Sequence, residues 1–221
     1  MKIRFGMAGA LIVLGGLAAT GPAAAKVRPV VEAGLHYSTV DYDHDLAGVL
    51  TTIWDNGWRP SFTGGAYVEW PLGSRFRLSP GLRYVQKGNR AHVEQPGVLN
   101  GEFRLLQDYL AIPVLLQLRP FASPRVAFSL GPEVAYLLTA HAISETTVLG
   151  FPRTGYNDIR NEMDDFDVSI EAGVEYAFPL ENHEGFMRLR YSEGLVGVAD
   201  ASQWLSDWST RGIQTVLGLR W

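Results

Sequence analysis

The feature that most constrains this chain is a series of eight extended runs whose connections alternate between long and short. The runs span 30–40, 62–70, 76–86, 105–119, 126–138, 166–178, 186–196 and 213–221. Proline and glycine mark the short connections near Pro71, Pro120 and Pro179, as tight turns require. In an up-and-down meander this alternation places every long loop at one end and every short turn at the other. Greek-key sandwiches do not usually sort their loops in this way.

Side chains within the runs alternate between an apolar face and a face of small and charged residues. In the sixth run Val168, Ile170 and Val174 share one face, while Asp167 and Glu171 share the other. A soluble barrel with an apolar interior and a membrane barrel with an apolar exterior both produce this pattern. Alternation alone therefore does not decide between them.

The first 25 residues have the pattern of a secretory signal. Lys2 and Arg4 precede an apolar stretch, which ends in the small residues Ala23 to Ala25 of a cleavage site. We expect cleavage before Lys26 and one domain over residues 26–221. A membrane anchor is the alternative, but the stretch is short for one. The formal charge of −4 and the lack of cysteine give no reason to expect nucleic-acid binding or disulfides.

Three observations favour the membrane barrel. Glycine and serine stand beside the charges on the polar face, where a narrow lumen needs space for large neighbours. Aromatic residues fall near the ends of the runs, where interfacial girdles lie. The export signal delivers the chain to a compartment where such barrels assemble. The sequence therefore predicts an all-β fold, an eight-stranded antiparallel up-and-down transmembrane β-barrel closed by its first and last strands.

Five segments resemble the PorT-type outer-membrane β-barrel proteins of Gram-negative bacteria, which are similar in size to the small OmpX-like barrels. The segments are PGLRYVQKG (80–88), DYLAIPVLLQLRP (108–120), GPEVAYLL (131–138), EAGVEYAF (171–178) and RYSEGLVGV (190–198). The resemblance implies an outer-membrane location, and Trp221 looks like the C-terminal signal that the assembly machinery reads. It does not specify an activity, because members of the family are implicated variously in secretion of surface proteins, adhesion and membrane integrity.

The polar face predicts a network of paired charges inside the barrel. An eight-stranded barrel is just wide enough for its side chains to fill the interior, and buried charges are costly unless they are paired. We therefore expect a solid post rather than a conducting pore, with Lys87 on the same face. The predicted network consists of Glu32, Glu69, Arg77, Arg83, Arg119, Arg125, Glu133, Asp167, Glu171, Glu175, Arg188, Arg190 and Arg220.

No motif with catalytic or metal-binding spacing stands out. The five histidines are His36, His44, His92, His141 and His183, and none has a nucleophile and a carboxylate at a known spacing. The stretch DYDHD (41–45) begins like an EF-hand loop, but it lacks the glycine and the final glutamate of that motif. We predict neither a catalytic site nor a cofactor nor a metal site.

Two long loops carry pairs of tryptophans, Trp54 with Trp58 and Trp204 with Trp208. Exposed tryptophans among polar neighbours are common anchors for protein or glycan partners. Packing on each other over the barrel mouth, or resting in the outer headgroups, is the simpler interpretation. These four residues are the candidate loop contacts.

The sequence as a whole predicts a monomeric outer-membrane protein with a structural or surface-interaction role exerted through its extracellular loops. The expected partners are outer-membrane lipid, the assembly machinery and a surface protein or glycan. Two alternatives stay open, a hydrolase with its site at the rim of the barrel and a soluble lipocalin-like carrier of a small apolar ligand.

Overall fold

The structure is a computed structural model that describes residues 27–41, 53–95, 99–120, 125–148, 150–195 and 209–221. Its strands are β1 (Arg28–Asp41), β2 (Ile53–Gly57), β3 (Arg59–Pro71), β4 (Phe76–Gln95), β5 (Leu99–Leu118), β6 (Val126–Val148), β7 (Phe151–Asp158), β8 (Phe166–Leu180), β9 (His183–Gly194) and β10 (Ser209–Arg220). A 3-10 helix, Arg160–Glu162, lies between β7 and β8. None of the helical structure in these ranges is long and apolar enough to cross a membrane.

Eight of the strands form a closed antiparallel barrel, which confirms the predicted fold. They are β1, β3, β4, β5, β6, β8, β9 and β10, and each pairs with the next. The barrel closes where β1 pairs with β10 from Val30 opposite Arg220 to Asp41 opposite Ser209. The amide of Trp221 continues this pairing by donating to the Pro29 carbonyl at 3.2 Å. The last strand therefore has no naked edge.

The two faces of the wall are those of a membrane barrel. Leu130 and Leu217 point outward and are 56% and 62% exposed, whereas Arg83 and Arg190 point inward and are almost completely buried. Apolar side chains can remain on the outside of a barrel when lipid covers them. A soluble carrier would need an apolar cavity instead, so this alternative is wrong.

The apolar band has about the height of a membrane. On β4, the outward aromatic rings of Phe76 and Tyr84 are separated by about 26 Å along the strand. At a strand tilt of about 40°, this corresponds to a height of about 20 Å, close to the apolar band of outer-membrane barrels. Polar groups follow immediately above it, where Asp108 accepts hydrogen bonds from Gln86 at 3.1 Å and Thr139 at 2.8 Å.

Three strands continue far beyond the band, which the sequence interpretation did not anticipate. The ranges 87–102 and 139–165 were expected to be long loops, yet β4, β5 and β6 run through much of them and β7 adds a further strand. Beyond the last β6–β8 pair, Tyr136 with Phe166, strand β6 continues for roughly 40 Å along its axis. With β2 beside β4 and β7 beside β6, these segments form a tall sheet above one side of the barrel.

Ion pairs across the tall sheet link its three central strands. Glu102 of β5 contacts Arg90 of β4 at 2.9 Å and Arg104 of β5 at 3.3 Å. Arg104 also pairs with Glu145 of β6. These side chains are partly exposed, so each pair contributes little stability by itself, but together they favour one register of the strands.

Candidate functional site

The interior of the barrel holds a balanced set of buried charges, which we call the lumen network. Among the described side chains, six carboxylates and six cationic groups are buried there. They are Glu32, Glu69, Glu133, Asp167, Glu171 and Glu175, with Arg83, Lys87, Arg119, Arg188, Arg190 and Arg220. Such charges are stable in a water-poor interior only when each is paired and hydrogen-bonded. The equal numbers of the two signs meet the first part of this requirement.

At the short-turn end, Arg220 is the centre of the lumen network. Its guanidinium lies 2.6 Å from Glu69 and 2.9 Å from Glu175, and it also pairs with Glu184. Arg77 approaches Glu69 to 3.0 Å, and Arg119 approaches Glu184 to 3.3 Å. One arginine of the last strand thus joins β3, β8 and β9 across the lumen.

In the middle of the barrel, Glu32 of β1 takes the central position. Arg188 lies 2.7 Å from this carboxylate and Arg190 lies 2.6 Å from it. The hydroxyl of Tyr67 donates a further hydrogen bond to it at 2.8 Å. Three donors from β3 and β9 therefore hold the charge of Glu32, which is the β1 member of the lumen network among the described side chains.

Toward the long-loop end, Arg83 bridges three strands. It pairs with Glu133 of β6 and Glu171 of β8 and donates to the Gln214 amide of β10 at 2.9 Å. Above it, Lys87 lies 2.8 Å from Asp167, which also accepts a hydrogen bond from Thr210 at 3.0 Å. Charge-assisted bonds of this kind are stronger than neutral ones, and they fix side-chain geometry as well.

Apolar groups close the spaces around the charges. The ring of Phe186 lies 4.6 Å from the Arg188 guanidinium carbon and 4.9 Å from that of Arg220, within cation–π range. Above Lys87, a buried apolar layer includes Tyr109 and Leu137 and is covered by Met163. Met163 follows the 3-10 helix, so the chain between β7 and β8 folds over the mouth of the barrel.

A hydrogen bond outside the barrel secures this cover. Arg160 donates to Asp165 at 2.6 Å, and its guanidinium carbon lies 5.7 Å from the centre of the Tyr136 ring. The bond to Asp165 raises the pKa of the Arg160 guanidinium above its usual range. This bond lies within the segment that carries Met163, and the contact of Arg160 with Tyr136 joins the segment to β6 at the rim.

The structure places most of the predicted lumen residues in the lumen network, with two differences. Arg77 is partly exposed and reaches the network through Glu69. Arg125 lies outside it, because its side chain is exposed at the short-turn end and it pairs with no carboxylate of the described residues. Arg125 precedes the first residue of β6, so the inward alternation of that strand does not extend to it.

The sequence interpretation does not include the neutral participants of the lumen network, among them Tyr67, Thr210 and Gln214. Each accepts or donates a hydrogen bond to a charge of the lumen network. Strand alternation carried the signal for two of them, because Tyr67 shares a face with Glu69 and Gln214 shares a face with Arg220. Their polar atoms form hydrogen bonds with carboxylate oxygens and guanidinium groups that the ion pairs alone leave without a full set of partners.

The histidines of the described residues lie in separate environments. His36 is buried, with Nδ1 2.7 Å from the Gln86 carbonyl, while His141 stacks on Tyr156 at 5.0 Å and His183 contacts Trp221 edge-on at 5.5 Å. His92 is exposed on β4, in register with Asp55 of β2 and Glu102 of β5. No group of three potential metal ligands occurs in the part of the chain that the structure describes. His44 and residues 42–45 of the DYDHD stretch fall outside the described residues.

Of the four candidate loop tryptophans, the structure describes the side chain of Trp58. Trp58, at the junction of β2 and β3, is 45% exposed. Trp204 and Trp208 lie outside the described residues, as does the side chain of Trp54. Trp221 points outward at the short-turn end of the barrel with 43% exposure, where an interfacial ring is expected.

The sequence comparison agrees with this architecture. Residues 23–200 match the family described as outer membrane protein beta-barrel domain. The chain therefore belongs to this family and is an outer-membrane β-barrel protein. In outer-membrane barrels the short turns face the periplasm and the long loops face the outside of the cell. No curated protein matches the sequence significantly.

Solved structures with a similar fold include three bacterial proteins. The attachment invasion locus protein Ail of Yersinia pestis is 12% identical, with 89% of this chain and 99% of that chain covered and a TM-score of 0.40. OprG of Pseudomonas aeruginosa is 11% identical, with 88% and 95% covered and a TM-score of 0.42. Neisserial surface protein A is 13% identical, with 87% and 95% covered and a TM-score of 0.36.

The filled lumen leads to a first prediction, about conductance. Protein reconstituted into a planar bilayer is expected to give no discrete channel openings, because the lumen network and the apolar layer under Met163 occupy the interior. Single-channel recording at low and high salt measures this. Steady unitary currents that depend on salt would show that the lumen conducts, provided that the protein is folded, which its faster gel migration before boiling establishes.

Proposed function

We propose that this protein is a non-conducting anchor that holds a rigid sheet above the outer membrane for contact with a partner outside the cell. The observation that carries the proposal is the combination of a filled lumen below and a tall sheet above. A pore would need an open interior, and a plain membrane post would not need strands that continue past the lipid.

The tall sheet offers groups suited to contact. Strand β7 pairs along one side with β6, and almost all of its side chains are exposed. Phe151 is 73% exposed and Tyr156 is 63% exposed. Exposed aromatic rings beside polar residues are typical anchors of protein interfaces, and the edge of a sheet offers unpaired backbone groups. A surface protein or a glycan is the class of partner that these features suit.

We assign the chain to the PorT type within its family, with removal of residues 1–25 on export and recognition of Trp221 by the assembly machinery. The barrel acts as a monomer surrounded by outer-membrane lipid. We favour a role without catalysis over the rim hydrolase, because His36, His141 and His183 each contact a carbonyl or an aromatic ring. The remaining described histidine, His92, is exposed on β4 in register with Asp55 and Glu102, and its replacement by alanine is expected to leave the protein's surface role unchanged.

The proposed contact predicts a position-dependent crosslink in intact cells. A photo-reactive phenylalanine at Phe151 is expected to give a discrete heavier band after irradiation, because this side chain projects from the free end of the sheet. Gel mobility and mass spectrometry of the band measure the result. The matched control is the same group at Leu130, which faces lipid and should give no protein adduct. Equal adduct patterns at both positions, or none at Phe151, would overturn the interaction role.

A further inference from the structure

A cleft of about 500 Å³ lies at the short-turn end of the barrel, away from the tall sheet. Its walls come from the start of β1, the residue before β6, the turn between β8 and β9, and the end of β10. Because short turns of outer-membrane barrels face the periplasm, the cleft opens toward the periplasmic side of the membrane. A volume of this size is within the range of small-ligand sites.

Three arginine side chains and two glutamate side chains line the cleft. Arg28, Arg125 and Arg220 line it together with Glu181 and Glu184. Glu184 forms ion pairs with Arg220 and Arg119 and lies 3.7 Å from Arg28. Glu181 is exposed on the turn, and no described residue forms an ion pair with Arg125. Arg125 is therefore available to a ligand with a negative charge, and Arg28 shares its single carboxylate partner among the described residues with two other arginines.

The opposite lip of the same cleft is apolar. Phe178, Leu180 and Trp221 line it, and Leu180 and Trp221 are 42% and 43% exposed on the outer surface. These residues are at the lower border of the apolar band, where headgroups meet acyl chains. The cleft thus has a cationic wall next to an apolar, lipid-facing lip. The apolar lip suits a lipid, whereas a soluble anion would contact the cationic wall alone.

We propose that this cleft binds the phosphate of a phospholipid from the periplasmic leaflet. Arg28 and Arg125 contact the phosphate, because guanidinium groups match the geometry of phosphate oxygens. Trp221 and Leu180 contact the glycerol and the first part of the acyl chains. Arg220 forms the buried floor of the site and stays paired within the lumen network.

Native mass spectrometry of the full barrel tests the site. The protein is released from a maltoside detergent, which carries no phosphate, after titration with phosphatidylglycerol. The double variant Arg28→Gln/Arg125→Gln is expected to retain the first lipid about tenfold less than the wild type at the same collision energy. The matched control Arg153→Gln removes an exposed arginine of β7 at the other end of the molecule and should leave retention unchanged.

Further probes separate the sources of the phosphate. Diacylglycerol, which has the chains without the phosphate, should not be retained, and inorganic phosphate at millimolar concentration should not displace phosphatidylglycerol. Displacement by inorganic phosphate would overturn the lipid and leave a site for a free anion. Equal lipid retention by the wild type and by the heat-modifiable double variant would overturn the site itself.

Discussion

Replacement of Arg83 by methionine is expected to lower the free energy of unfolding of the barrel by about 3 to 5 kcal/mol. The substitution removes the cation that bridges Glu133 and Glu171 and leaves both carboxylates in the closed interior. Breaking a buried pair from one side is costly because the remaining charge has lost its partner and cannot reach water. Urea unfolding in lipid vesicles, followed by tryptophan fluorescence and by gel mobility, measures the change.

A second substitution shows whether the loss comes from charge or from packing. The double variant Arg83→Met/Glu171→Gln restores equal numbers of buried charges, while Lys87 still lies 3.6 Å from Glu133. It is expected to recover a substantial part of the stability lost by Arg83→Met. The control Arg153→Met, on the exposed strand β7, should change stability by less than about 0.5 kcal/mol. If Arg83→Met resembled this control, the lumen network would not stabilise the fold.

Replacement of Leu130 by arginine is expected to destabilise the barrel by about 2 to 4 kcal/mol in vesicles. Leu130 points outward between Leu116 and Ala172, in the middle of the apolar band. An arginine at this depth must either enter hydrocarbon or distort the bilayer around it. The same unfolding assay measures the effect.

The matched control uses a more exposed apolar residue above the membrane. Phe151→Arg on β7 is expected to change stability by less than about 0.5 kcal/mol, because Phe151 is 73% exposed in the tall sheet. Both side chains are exposed on the surface of the protein, so in water an arginine would be tolerated at either position. A large loss of stability at Leu130 alone would therefore come from the lipid around it. Similar small effects at both positions would contradict the assignment of the outer face to lipid.

The parts of the fold that alternation could predict are those with different surroundings on their two faces. In β8, Asp167 and Glu171 face the lumen while Val168 and Val174 face lipid, so the period of two is plain in the sequence. In 87–95 and 139–148, the strands stand above the membrane and polar residues occupy both faces. No period of two appears where the two faces of a strand meet similar surroundings, so the sequence predicts loops where these strands lie.

The lumen residues could be predicted by face but not by partner. The inward positions of Glu32, Arg83 and Arg190 follow from strand parity. Their pairing depends on the stagger of strands distant in sequence, for example Arg190 of β9 with Glu32 of β1. The placement of Arg125 in the network failed at a strand boundary, which is the least certain part of any sequence interpretation.

Gel mobility of the fractionated protein tests the closed membrane barrel most directly. The account predicts a protein that sediments with outer membranes and migrates faster unboiled than boiled, because the closed barrel resists detergent until it is heated. A protein recovered in the soluble periplasmic fraction, with one mobility before and after boiling, would contradict the barrel and the outward assignment of its apolar face.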